Sequence, residues 1–351
     1  MILNKVHFYT GKIIDNYIYA SQSFYNGLIR IDLNTSKAKY IAEFPEEKTV
    51  STVLHRFSYK YGRKIFFVPC DANNVAVYDE TTGLIKSILI DDYDVRKNKQ
   101  SVFCVNDNRI WIIPVSGNGK TIIINMDDYK VEVLGQGEAP FEGSTIVNIW
   151  QEDNKVYFVK SGSNIVVEYN LESGKVKENN SAISNLYSLS KGREELWLLK
   201  QKNETLCCIR DGKEYVYPIN ETNRGGMFVN VIDYKQGVYA IPYKLEDFLV
   251  KKVGSDWFDN VDIHSLGIHK LYSYPGAFSY DLIETESMWI LPPYNIDKMI
   301  MINKEDGHIN TRELIFEEPI EIDNADLKSS IIGGMLKEDM PINLRTYIEI
   351  I

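Results

Sequence analysis

Long apolar runs are missing from this chain. No stretch of its 351 residues approaches the length of a membrane-spanning helix. The N-terminal residues, from Met1 to Tyr19, lack a basic segment leading into an apolar one, so no secretory signal is expected and a cytoplasmic location is. A basic surplus is also missing: 39 Lys and Arg stand against 49 Asp and Glu, a formal net charge of −10. Without a cationic footprint, neither nucleic acid nor an anionic membrane surface is an expected partner. Cysteine is scarce. Cys70, Cys104, Cys207 and Cys208 fit neither zinc nor redox spacing, so buried free thiols are expected. In a strand, the adjacent Cys207 and Cys208 would point to opposite faces. Phosphate loops, nucleophile elbows and thiol dyads are absent, and no cofactor or metal is expected.

What is present is aromatic and repetitive. The 23 Tyr and 14 Phe, beside frequent Ile and Val, favour strands. A five-residue pattern (apolar, aromatic, apolar, apolar, then Pro or Lys) recurs. Its copies begin with Ile65-Phe66-Phe67-Val68-Pro69 and Ile110-Trp111-Ile112-Ile113-Pro114. Val156-Tyr157-Phe158-Val159-Lys160 and Leu196-Trp197-Leu198-Leu199-Lys200 follow. Val238-Tyr239-Ala240-Ile241-Pro242 and Met288-Trp289-Ile290-Leu291-Pro292 come next, with a weaker first copy at Tyr17-Ile18-Tyr19-Ala20-Ser21. Second positions fall at 18, 66, 111, 157, 197, 239 and 289, so the spacings are 48, 45, 46, 40, 42 and 50 residues. That is the period of a four-stranded blade.

Each copy sits in a pair of hairpins. An apolar segment precedes it across a tight turn such as Asp107-Asn108 or Asp153-Asn154. A second hairpin follows, turning at Thr82-Gly83, Ser173-Gly174 or Asp306-Gly307. The motif strand is apolar throughout, so both of its faces must be covered, which a ring of blades achieves and an isolated blade does not. The expected fold is all-β: a single β-propeller over residues 1–316, of seven four-stranded blades, with six or eight as neighbouring counts. Residues 317–351 form an expected tail packing on the propeller, ending in a helix with Leu344, Tyr347, Ile348 and Ile351 on one face. Residues 244–275 read as an irregular second hairpin of blade six carrying an insertion.

Blade period and strand character together resemble the superfamily of seven-bladed propellers that includes YVTN-type and WD-repeat proteins. The resemblance covers residues 1–316 and extends to no signature: there is no Trp-Asp strand ending, kelch Gly-Gly doublet or Asp-box. It implies a fold and a site location, the channel mouth built from b–c loops and loops entering strand a, and no activity.

Candidate ligand-binding residues follow from that location. Lys160, Lys200 and Arg224 make one cationic sector suited to an anionic group, against the plain alternative of solvated surface cations. Tyr25 and Asn26 belong to the aromatic loop Ser23-Phe24-Tyr25-Asn26-Gly27, and Tyr243 and Tyr294 are further mouth aromatics. His55 and Arg56 lie on the inner strand of blade two, where alternation turns one of them to the channel. Asp262, His264 and His269 match no metal-binding grammar, and Asp71, Glu246, Asp247 and Asp297 lie near the mouth at undetermined separations. The expected function is a non-catalytic scaffold recognising a protein, peptide or glycan at the mouth. The alternative is a propeller enzyme, a lyase or glycan-active hydrolase using His55, Arg56 and mouth carboxylates. A purely structural subunit, docking through its tail and residues 244–275, is the third reading.

Overall fold

A computed structural model describes residues 2–23, 25–47, 53–90, 101–116, 119–134, 141, 144–192, 195–200, 202, 204–219, 226–271 and 276–321. Within them one three-residue 3-10 turn, His264–Leu266, interrupts a chain otherwise built of strands. No described helix is long and apolar enough to cross a membrane. Phe24, Arg224 and the helix expected near the C-terminus lie outside the described residues.

Strand β1 (Ile2–Lys5) precedes blade one, which is β2 to β5 (Phe8–Ile14, Tyr17–Gln22, Leu28–Asp32, Lys37–Ala42). Blade two is β6 to β9 (His55–Tyr61, Lys64–Pro69, Val75–Asp79, Leu84–Ile88). Blade three is β10 to β13 (Ser101–Asn106, Arg109–Pro114, Ile122–Asn125, Val131–Val133). Blade four is β14 to β17 (Ile149–Glu152, Lys155–Val159, Ile165–Asn170, Val176–Asn180). Blade five is β18 to β21 (Leu186–Lys191, Leu196–Lys200, Thr205–Arg210, Lys213–Pro218). Blade six is β22 to β25 (Phe228–Tyr234, Gly237–Pro242, Phe248–Lys252, Asp259–Val261). Blade seven is β26 to β29 (Ile283–Glu284, Met288–Leu291, Lys298–Asn303, Ile309–Glu313), followed by β30 (Ile315–Glu321).

Every blade runs a, b, c, d in chain order, and the recurrent motif is strand b in all seven. Contacts divide the chain into two compact units. One holds Met1–Asp91, His264–Ile302 and Ile309–Ile351, hence blades one and two and most of blade seven. The other holds Asp92–Ile263 and Asn303–His308, hence blades three to six. In the first, β2 packs on β6 and β26; in the second, β10 packs on β14, β14 on β18 and β18 on β22. Strand a is therefore the inner strand.

The double covering of strand b is visible residue by residue. In β19, Trp197 and Leu199 enter a core with Phe228, Leu249 and Phe258, while Leu196 and Leu198 enter another with Val159, Val166 and Leu189. Each such leucine is worth roughly 1.5–3 kcal/mol when fully buried. Cys208 joins the first core and Cys207 the second, so the adjacent thiols do face opposite ways. All four cysteines are free and buried, and burial pushes the Cys208 thiol up to about 11.

Turn chemistry holds as well. Asp107 and Asp153 adopt positive φ in the a–b turns, and Gly83, Gly174 and Gly307 do so in the c–d turns. The prolines end their strands: β7, β11 and β23 stop at Pro69, Pro114 and Pro242, and β27 stops just before Pro292.

Two details were not in the sequence expectation. Strand β30 runs from Ile315 through Glu321, across the start of the expected tail. It pairs parallel to β5 (Ile315 with Lys37) and antiparallel to β1, so blade one sits in a six-stranded sheet. An open edge on β5 is a pairing liability, and β30 covers it. The second hairpin of blade six is regular, with Phe248 opposite Val261 and Val250 opposite Asp259. The added residues come after it. His269 donates its backbone N–H to Asp297 (2.8 Å), and its Nδ1 lies 3.1 Å from the same carboxylate.

Candidate functional site

Antiparallel strands separate a blade's loops into two ends: b–c loops and d–a connections at one, a–b and c–d turns at the other. In the second unit, the b–c end carries a cavity of about 650 Å³. Three blades build it. Ser161 and Gly162 come from the b–c loop of blade four, and Ser184, Asn185 and Leu186 from the connection into blade five. Lys200, Lys202 and Glu204 come from the b–c loop of blade five, and Met227 from the connection into blade six. The frame is backbone-locked, since Gly162 N–H donates to Leu186 O (2.6 Å) and Leu186 N–H to Ser163 O (2.8 Å).

The expected cationic sector is divided by this geometry. Lys200 lines the cavity, whereas Lys160 pairs with Glu178 on the outer strand of its own blade. Lys202, which the sequence pattern did not single out, stands beside Lys200 and is exposed. Tyr243 lies next to the cavity through its backbone, donating its N–H to Met227 O (2.7 Å).

In the first unit, the flagged residues form tight internal contacts. Asn26, 1% exposed, clips its loop to the main chain of Phe44: its Nδ2 donates to Phe44 O (3.0 Å), and its Oδ1 accepts from Phe44 N–H (2.9 Å). Tyr25 donates its hydroxyl to Glu43 (3.3 Å) and lies against Tyr40. Gly27 is required beside them, because a Cβ there would sit 2.5 Å from the Tyr40 ring. Asn26→Ala is expected to destabilise this unit by about 1–3 kcal/mol, since it strands two buried backbone groups. Urea denaturation of the variant against the parent chain checks this.

His55 is buried, its Nδ1 2.9 Å from Ser21 Oγ and its ring flanked by Phe44 (4.5 Å) and Phe67 (5.4 Å). Among the described residues, its Nε2 has no hydrogen-bond partner. Burial holds the imidazole far below its usual range, at about 3. The acid–base role offered to His55 needs an imidazole close to a carboxylate, and this ring instead sits between phenylalanines. Arg56 is buried with its guanidinium over Tyr280 (4.8 Å). Tyr294 packs edge-on against Tyr9 (4.9 Å), and burial pushes the Tyr9 hydroxyl up to about 12 despite the opposing Arg56.

A polar network on the inner strands escaped the sequence reading. Asp281, just before β26, accepts from Thr10 Oγ1 (2.5 Å) and is bonded by Lys12 Nζ at 3.1 and 3.2 Å. Thr10 has one hydroxyl proton and gives it to Asp281, so Ser58 Oγ, 2.7 Å away, donates to Thr10. Three blades are thereby stitched at their inner strands. Burial pushes the Asp281 carboxyl up, with Lys12 and Thr10 pulling it back. The sequence did carry a signal, an acid inside the apolar run Ala277-Phe278-Ser279-Tyr280-Asp281-Leu282-Ile283.

No family model matches the chain, and no curated protein does. Solved structures do. YCF48 from Cyanidioschyzon merolae is similar over 86% of this chain and 97% of its own, at 8% identity and a TM-score of 0.61. A YCF48 bound to D1 peptide is similar over 85% and 92%, at 10% identity and a TM-score of 0.62. The computationally designed Ika8 protein is similar over 91% and 92%, at 9% identity and a TM-score of 0.56. The fold is a seven-bladed β-propeller. At these identities the likeness shows the fold alone, and membership of a YVTN or WD-repeat family does not follow from it.

Proposed function

We propose that this propeller is a peptide-recognition scaffold, and that its ligand is a protein segment bearing a carboxylate, seated in the b–c-end cavity of blades four to six. The observation that carries this reading is the cavity itself. Its volume of about 650 Å³ lies within the range of ligand pockets. Its walls offer what an extended segment uses. Ser161, Ser184 and Asn185 supply hydrogen-bonding groups, Leu186 and Met227 an adaptable apolar floor, and Lys200 and Lys202 positive charge beside Glu204 among the described residues. A similar fold, YCF48, has been solved with a peptide bound, which is compatible with the same use here.

Panning a phage-displayed random peptide library on the full chain tests the proposal. Selected sequences are expected to be enriched in Asp and Glu, and Lys202→Glu to weaken their binding about tenfold or more (1.4 kcal/mol per decade). Peptides without acidic enrichment, or peptides that bind Lys202→Glu as tightly as the parent chain, would contradict it.

A further inference from the structure

The second unit holds another cavity, of about 470 Å³, at the opposite strand ends, where the a–b and c–d turns of blades five and six meet. Tyr215, exposed, and Trp197 and Tyr217, both buried, are among its aromatic residues, Val253 forms an exposed apolar lip, and the cations Arg210, Lys235, Lys251 and Lys252 line it beside the acids Glu195, Asp233 and Asp256. The rings are packed together, with Trp197 and Tyr217 at 5.8 Å.

Lys235 is ion-paired with Glu305, and Arg210 and Lys251 are placed differently from each other. Arg210 lies over Tyr215 (5.3 Å) and is ion-paired with Glu195. Lys251 holds its ammonium 4.6 Å from the centre of the Tyr217 ring, and among the described residues it has no hydrogen-bonded carboxylate. Burial is the main influence lowering its proton affinity, followed by Arg210, whose repulsion exceeds the attraction of the rim carboxylate Asp256. A partly desolvated ammonium on an aromatic face, inside another cation's field, is stabilised by an anion arriving beside it. The exposed Tyr215 ring and the apolar lip at Val253 favour a planar body on that anion.

We infer that this turn-end cavity binds a small aromatic carboxylate, with the carboxylate at Lys251 and the ring against Tyr215 and Val253. The site is independent of the peptide cavity, because none of its lining residues is shared.

The test is a ligand-observed NMR titration of the full chain with 2-naphthoate, using neutral 2-naphthamide as the isostere. Saturable naphthoate binding is expected, about tenfold tighter than that of the amide. Lys251→Met is expected to abolish the preference, Lys251→Arg to retain it, and Lys202→Glu to leave it unchanged. Should Lys251→Met melt early, the acid-to-amide ratio on the parent chain still decides. Equal affinity for the two probes, no saturable binding at millimolar concentration, or a preference that survives in folded Lys251→Met would overturn the inference.

Discussion

Asp281→Ala is expected to destabilise the unit holding blades one, two and seven by about 3–4 kcal/mol, the cost of breaking a buried ion pair. Three groups are affected together. Lys12 loses its counter-ion, Thr10 loses its acceptor, and Ser58 is left bonded to a hydroxyl whose own proton has nowhere to go. Thr10 and Ser58 are fully buried, so water does not replace the missing oxygen. Asp281→Asn keeps the shape and an acceptor, and is expected to lose about half as much. Hydrogen exchange resolved to β2 and β6 is the appropriate readout, because a chain of two compact units need not unfold in one step. A loss below about 1 kcal/mol in those strands would mean that the network is not what joins them.

The second large effect is in acid. His55 is neutral in the folded chain down to about pH 3, whereas in the unfolded chain it takes a proton at the ordinary 6.5. Between those values the unfolded state binds more protons, so stability falls as pH falls. Its contribution is complete above about 6.5 and is withdrawn through the window below. From pH 6.5 to 4, at roughly 1.4 kcal/mol per pH unit, about 3 kcal/mol is lost. The double variant Ser21→Ala/His55→Phe removes the titrating ring and the hydroxyl that would otherwise lose its partner. Its denaturation midpoint, followed from pH 7 to pH 4, is expected to fall less steeply than that of the parent chain. Parallel slopes would show that His55 protonates freely in the folded state.

Much of the fold was legible because strand b obeys a strict rule. It is covered on both faces, so Ile110 to Ile113 or Leu196 to Leu199 must be apolar at every position, and the pattern repeats once per blade. The outer strands follow no such rule. In β17 every residue from Val176 to Asn180 is exposed, and β30 carries Glu317, Glu318 and Pro319, so its pairing with β5 leaves little trace in composition. Short β26 is equally cryptic, although Asp281 just before it stands out as an acid in an apolar run.

The candidate site was legible in position more than in membership. Topology alone directs attention to the b–c end, where Lys200 lies, yet whether a lysine is spent internally depends on its neighbours across the sheet. Lys160, just after β15, meets Glu178 of β17 across β16, a pairing 18 residues apart that no motif announces. Asn26 and Tyr25 looked like mouth residues by type, and their polar atoms are committed to Phe44 and Glu43. The turn-end cavity draws on residues from Glu195 to Asp256, each an ordinary turn or strand-end residue until two blades are set side by side.

Peptide recognition at the b–c end of blades four to six is most directly tested by backbone hydrogen exchange of the full chain, with and without a saturating acidic peptide from the selection. Slowed exchange is predicted in 161–165, 184–186 and 226–228, where three blades meet around the cavity. Protection confined to the opposite turns, around 233–238 and 251–256, or absent from all these segments, would contradict it.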